Sequence, residues 1–415
     1  MQEDPVQRTV LANGLTVLSQ RMPAVRSVAV GIWVRAGSSC EAPNEHGLAH
    51  LLEHMVFKGT SRRSPRQIAT RLEAVGGHVD AFTGRELSCY YAVAMDRHLP
   101  RAVELLADVL LHFRFTDDQL ESEKRVVREE IRNVNDTPDD VAMDLFTELL
   151  WKGHPLGRPI MGTEASVSGV RGEQLRTFWR TWYSADRVIA ACAGNVEHGR
   201  FVRLCGRHLS FPPPDDSPRI RLRLPRHRPR VSVVDRDISQ LHLCLGRTCP
   251  GYNHPDRLPL LALNAMLGGG MSSRLFQEAR EKRGLAYAIF STVTNLSTSG
   301  LVVTYLATDP QAAALSLRVV RTEFRRLVRR GLTPSELRCA KNQLKGGAVL
   351  AHERSSSRMT RLAIDEIYLG RHPTLDDTLR AIDAVTAEQV HHVARKYLDQ
   401  NRLSLLVLGP NTALH

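Results

Sequence analysis

"FTDDQLESEKRVVREEI" (Phe115–Ile131) and "LTPSELRCAKNQLKGGA" (Leu332–Ala348) open alike. In each, a threonine stands where a helix N-cap belongs, ahead of a run whose apolar residues recur at helical spacing. They occupy corresponding places in the two halves of a 415-residue chain, and the likeness extends outward. "SVAVGIWVRAGS" (Ser27–Ser38) reads as a strand and loop ahead of the helix "LAHLLEHM" (Leu48–Met55). In the second half "LHLCLGRTCPGYNHPDR" (Leu241–Arg257) plays that part ahead of "LPLLALNAMLGGG" (Leu258–Gly270). The chain therefore reads as two copies of one α/β unit.

The opening "TVLANGLTVL" (Thr9–Leu18) carries an Asn13-Gly14 pair suited to a hairpin with a tight primed turn. Strands such as those in "HVDAFTGRELSCYYAVAM" (His78–Met95) come in runs between helices. The expected fold class is thus α+β: two homologous repeats, each a mostly antiparallel sheet with helices packed on one face. Residues 211–230 are rich in proline and charge and divide the chain nearly in half, as a linker would. Expected domains are 1–210 and 231–415.

Composition excludes several classes. Hydrophobic residues make up 42% and charged residues 24%, with no long biased tract, as in soluble globular proteins. Seven scattered cysteines without a C-x-x-C pair argue against a disulfide framework or a thiolate zinc site. The polar N-terminus resembles neither a secretory signal nor a transit peptide, and no stretch approaches a membrane span, so a bacterial cytoplasmic protein is expected. The net charge of +12 invites a nucleic-acid reading. Its densest basic run, Arg219–Arg230, lacks interleaved aromatics and adjoins "FPPPDDSP", and arginine is abundant throughout, so neither nucleic acid nor membrane is expected as a partner.

One helix carries chemistry. In "EHGLAHLLEHMVFKGT" (Glu45–Thr60), His50 and His54 are four apart and share one side of the helix, so both imidazoles can reach one metal ion. Glu53 flanks the same spot, where a carboxylate can take a proton from an activated water. A lone His-x₃-His pair is more often two packed histidines, so a third ligand is needed. The helix "ESEKRVVREEIRNV" (Glu121–Val134) offers Glu121, Glu123, Glu129 and Glu130. Glu123, Val127, Glu130 and Val134 fall on one stripe, and a carboxylate among valines points inward, where something must compensate its charge. Glu129 lies off that stripe and reads as solvated. The second repeat is an internal control: Asn264, Leu267 and Gly268 replace the His/Glu/His set, and Ala340 and Gly347 replace Glu123 and Glu130. Histidines and carboxylates are present together or absent together, as a shared metal site requires. His46 and His78 lie near the motif but outside its spacing. The glycine-rich "LGGGMSSR" (Leu267–Arg274) lacks the lysine of a phosphate loop and reads as a turn.

The H-x-x-E-H order, with Glu130 seventy-six residues after His54, resembles the inverzincins of the pitrilysin family, in particular the branch like the mitochondrial processing peptidase. "GLAHLLEHMVFKGT" and "VVREEI" match it, as do "HPLGRPIMGT" (His154–Thr163) and "REKRGLAY" (Arg280–Tyr287). The resemblance implies that His50, His54 and Glu130 bind one zinc ion per chain, with Glu53 as general base and Glu123 as a supporting carboxylate. It implies that Arg283 and Tyr287 of the second, noncatalytic repeat reach the substrate, being on one side if their segment is helical. It also implies that the repeats enclose a cavity and that an extended peptide adds to a sheet edge. That edge is expected at Val79–Thr83, with Val79, Ala81, Phe82 and Thr83 as contacts. The expected activity is a zinc endopeptidase acting on peptides or unfolded segments, as a homodimer or with a sister subunit. The alternatives are a noncatalytic or partner-dependent subunit of a heterodimeric processing peptidase and a basic nucleic-acid-binding protein.

Overall fold

The computed structural model describes residues 4–74, 77–214 and 227–410. Most of the expected linker, 215–226, and with it most of the basic run, lies outside the described residues.

The first sheet has six strands: β1 (Gln7–Val10), β2 (Thr16–Arg21), β3 (Ser27–Val34), β4 (His78–Thr83), β5 (Ser88–Met95) and β6 (Val188–Gly194). The second has five: β7 (Val231–Asp235), β8 (Leu241–Pro250), β9 (Ala288–Asn295), β10 (Ser299–Thr308) and β11 (Ser404–Gly409). Their orders are β1-β2-β6-β3-β5-β4 and β7-β11-β8-β10-β9. Apart from β1 they superimpose in kind: one parallel pair (β2 with β6, β7 with β11), then three antiparallel pairs ending on β4 or β9. The repeat is thus real at the level of topology, and the sheets are mostly antiparallel.

Two local expectations change. The β1–β2 hairpin forms where it was read, but through the longer connection Leu11–Leu15. Gly14 N–H donates to the Leu11 carbonyl at 2.9 Å, and only Gly14 has a positive φ. A primed turn would need φ above zero at Asn13 as well. The Asn13 carboxamide instead accepts from Leu15 N–H at 3.1 Å. Second, helices cover more than one face. β3 and β6 are buried along almost their whole length, which requires cover on both sides.

One face of the first sheet packs on the helices Leu48–Met55, Leu99–Leu111 and Asp117–Asn135, and the opposite face on Ser355–Tyr368. In the second sheet Leu241, Leu243 and Leu245 face the core formed with Arg257–Gly268, Ala313–Arg330 and Ala387–Tyr397. The helix Pro138–Leu150 packs on β8 and β11, with the Cys244 thiol against the Ala142 carbonyl. The compact units are accordingly discontinuous: Met1–Arg132, Arg158–Leu222 and Leu350–Thr374 form one, and Asn133–Gly157, Arg223–Val349 and Leu375–His415 the other. Each unit contains one helix from the opposite half of the sequence.

Candidate metal centre

The helix Leu48–Met55 begins at Gly47, whose φ of +86° turns the chain into it. Leu48, Ala49, Leu51, Leu52 and Met55 enter the core and fix its rotation. What remains outward is His50, Glu53 and His54, half-buried side by side, the two imidazole centroids 4.7 Å apart. The second helix is anchored by Thr116, which accepts from Gln119 N–H at 3.2 Å while the Gln119 side chain accepts from Thr116 N–H at 2.9 Å. This capping box sets the phase that turns Glu123 and Val127 inward with Glu130 beside them, as the stripe predicted. Glu129 points to solvent and pairs with Arg132, and Glu121 pairs with Lys124.

His50, His54 and Glu130 converge: one potential ligand atom from each lies within 4.8 Å of the others. His54 Nε2 is 3.5 Å from Glu130 Oε2, close to the roughly 3.3 Å separating two atoms bound tetrahedrally to one zinc ion. Its other nitrogen, Nδ1, is 2.8 Å from Glu123 Oε1, and Lys58 Nζ is 2.5 Å from Glu123 Oε2. A carboxylate behind a histidine fixes the ring and leaves the far nitrogen free for a metal. Burial, with the neighbouring His54, pushes His50 down to about 4, so at neutral pH it is an uncharged imidazole, the state that ligates. Its Nδ1 has no hydrogen-bond partner among the described residues. Burial also drives His54 down, but the Glu123 bond and the charges of Glu130, Glu123 and Glu53 outweigh it and leave its pKa raised. For Glu123 burial acts upward, and the bonds from His54 and Lys58 hold it below the usual range. Two imidazoles and a carboxylate, one imidazole backed by a second carboxylate, fit a catalytic zinc ion.

Glu53 adjoins this group. Thr83 Oγ1 donates to Glu53 Oε2 at 2.5 Å, and burial leaves the carboxyl with a raised pKa despite that bond and the His54 charge. Thr83 ends β4, whose outer edge pairs with no strand among the described residues, so the expected edge is an edge. Along it Val79 and Ala81 face the core that includes the metal helix, and Thr83 shares their face. Phe82, expected beside them, points to the opposite face. It is 41% exposed there, its edge against Trp33 at 5.5 Å.

Arg283 and Tyr287 lie in the other unit and do not share a helix. The helical segment Phe276–Glu281 ends before them, so the condition set for one-sided presentation is not met. Arg283 is held by Glu278 at 2.7 Å, and Tyr287, 75% exposed, immediately precedes β9. His46 stands in the loop ahead of the metal helix, and His78 opens β4 beside Asp80. In the second repeat, Asn264 donates to the Ser291 carbonyl, a structural bond.

Three supporting residues escaped sequence reasoning. Lys58 lies three residues past the helix end at Met55, and its closeness in sequence to His54 is the one signal it offers. Glu41 and Arg158 carry no such signal. Glu41 is 4% exposed and accepts from Gly47 N–H at 3.1 Å and Ala49 N–H at 2.8 Å, and Arg158 donates to the Glu41 carbonyl at 2.9 Å.

Comparison with known proteins agrees with this geometry. The description "Insulinase (Peptidase family M16)" matches residues 16–164, and "Peptidase M16 inactive domain" matches residues 170–344. A Mycobacterium tuberculosis protein named as an uncharacterized zinc protease is 42% identical over 98% of this chain and 93% of its own length. The uncharacterized zinc protease YmxG of Bacillus subtilis is 36% identical over 98% of each chain. A Helicobacter pylori protease structure superimposes with a TM-score of 0.93 at 23% identity, covering 99% of this chain and 100% of that one, a likeness of fold. The chain belongs to peptidase family M16. No helix among the described residues is long and apolar enough to cross a membrane.

Proposed function

We propose that this chain is a zinc-dependent endopeptidase that cleaves peptides or unfolded segments. The convergence of His50, His54 and Glu130, with Glu53 on the same helix face, carries the reading. Its relatives' names as zinc proteases agree with it. Zinc held there would supply Lewis-acid polarisation of the scissile carbonyl and of the attacking water. Glu53 is the general base. Thr83 occupies Oε2, while Oε1 has no hydrogen-bond partner among the described residues and is free for the proton. Burial makes Glu53 a stronger base than an exposed glutamate, and the same carboxyl returns the proton to the leaving amine. Glu123 keeps His54 in the tautomer that presents Nε2. An extended substrate adding to the open edge of β4 would bring its backbone toward Thr83 and hence Glu53. Arg283 and Tyr287 serve as substrate contacts in this reading, and the exposure of Tyr287 at the start of the edge strand β9 supports it.

The test is cleavage of a mixed set of quenched fluorescent peptides by the purified chain, with and without a chelator, beside Glu53→Gln. Chelator-sensitive cleavage is expected, lost by about 10²-fold or more in the variant while one zinc per chain is retained. Full activity in Glu53→Gln would falsify the assignment.

A further inference from the structure

From the packing ahead of the metal helix we infer that Glu41 is a positioning residue for the zinc site, holding the first turn of Leu48–Met55 so that His50 meets His54 and Glu130. The inference rests on the metal-site reading above. Glu41 precedes His50 in the sequence and lies outside its helix: it follows the short helical turn Ser38–Cys40, and its side chain returns to the start of the metal helix. Its Oε2 accepts from Gly47 N–H and its Oε1 from Ala49 N–H, two donors that no helical carbonyl can satisfy. Ala49 is the residue before His50, so one side chain fixes the backbone from which the first ligand springs. Burial pushes the carboxyl's pKa up, to about 8, against the opposing pull of the two backbone bonds at the positive end of the helix.

A second brace makes the arrangement rigid. Arg158 donates to the Glu41 carbonyl, and the turn that follows lies directly against the helix start. A Cβ on Gly47 would come within 2.4 Å of the Met161 carbonyl, and one on Gly162 within 2.5 Å of the His46 carbonyl. Both glycines have positive φ, so neither position tolerates a side chain. The 158–163 part of "HPLGRPIMGT" is therefore a wall behind the metal helix, and Glu41 is bonded to both. No side chain within the helix caps it, since Gly47 has none, and the Glu45 carbonyl accepts from Leu48 N–H at 3.2 Å. If Glu41 is removed, the core still fixes the helix's rotation, but the backbone at Gly47 and Ala49 loses its two acceptors and His50 is held less tightly in its place.

Zinc affinity by competition with a chromogenic chelator, and the visible spectrum of the cobalt-substituted protein, should be measured for the full chain, Glu41→Gln and Glu41→Ala. Glutamine has nearly the same shape but can accept through one oxygen only. The expected result is zinc affinity reduced by about tenfold or more in Glu41→Ala and by less in Glu41→Gln, with altered cobalt bands in both. If Glu41→Ala does not fold, the near-isosteric Glu41→Gln decides. A lower melting temperature with unchanged zinc affinity and cobalt spectrum would make Glu41 merely structural and overturn the inference. Failure of the unmodified chain to bind zinc would instead defeat the metal-site reading itself.

Discussion

Lys58 shows how far a single side chain reaches into the centre. It holds Glu123 Oε2 while Glu123 Oε1 holds His54, so a cation on one side keeps the carboxylate ionised to accept from the imidazole on the other. Burial alone would raise the Glu123 pKa, and the Lys58 bond is among the interactions that reverse it. In Lys58→Met that opposition weakens and the pKa rises. Since the ionised form orients His54, zinc affinity at neutral pH should fall, by up to about tenfold. Lys58→Arg should restore it. Competition with a chromogenic chelator measures this, and unchanged zinc affinity in Lys58→Met would show that Glu123 needs no cation. The His50, Glu53 and His54 set was legible in the sequence because helical spacing alone places it, and Glu130 because it falls on an inward stripe. Glu41 was not, because its role depends on a chain reversal and on two backbone N–H groups that have no letter of their own.

The two long helices that betrayed the repeat share more than a phase. Thr116 pairs with Gln119, and Thr333 accepts from Glu336 N–H at 3.2 Å while Glu336 Oε2 accepts from Thr333 N–H at 2.8 Å. The second box is reinforced, since Arg274 grips the Glu336 carboxylate with two bonds of 2.6 and 2.7 Å. Burial acts upward on this carboxyl, but the Arg274 and Thr333 bonds prevail and hold it at about 2, against an ordinary 4.5. A depressed folded-state pKa stabilises above the unfolded value and is lost as pH falls through the folded one, so this contribution fades between about pH 4.5 and 2. The shift corresponds to about 3 kcal/mol at most, and screening at a partly exposed pair reduces it to about 1–2 kcal/mol. Glu336→Gln keeps the box but loses the ion pair. Its urea midpoint should fall below that of the parent at pH 7, and the gap should narrow by pH 3. An equal gap at both pH values would refute the ion-pair account. Propensity and capping made these helices readable, whereas at Arg283 and Tyr287 the four-residue spacing implied one-sided presentation only for a helical segment, and a turn stands there instead.

At the scale of the whole molecule, equivalent helices are exchanged. Ser355–Tyr368 follows the long helix of the second half and covers the first sheet, while Pro138–Leu150 follows that of the first half and covers the second. Sequence periodicity cannot reveal this, since an apolar face does not say which of two similar sheets it meets. Strands buried on both faces, such as "SVAVGIWV" and "VIAACAG", were the available sign that a second layer was needed. The exchange has an energetic consequence. On the first sheet Leu18, Ala29, Trp33, Ile189 and Ala191 pack against Met359, Leu362 and Ala363, with Trp33 Nε1 3.2 Å from Met359 Sδ. Burying Met359 and Leu362 alone contributes about 3–6 kcal/mol, comparable to the lower range of a domain's total stability. A chain ending at residue 214 keeps His50, Glu53, His54 and Glu130 but lacks that helix, and it exposes the apolar face instead. It should therefore aggregate or bind a hydrophobic dye, with red-shifted tryptophan emission. Co-production with residues 227–415 should yield a soluble pair that purifies together, because each piece then supplies a helix to the other's sheet. Light scattering and thermal melting distinguish the outcomes, and a monomeric 1–214 fragment with a cooperative melt would mean that the exchanged helix is dispensable to the first half.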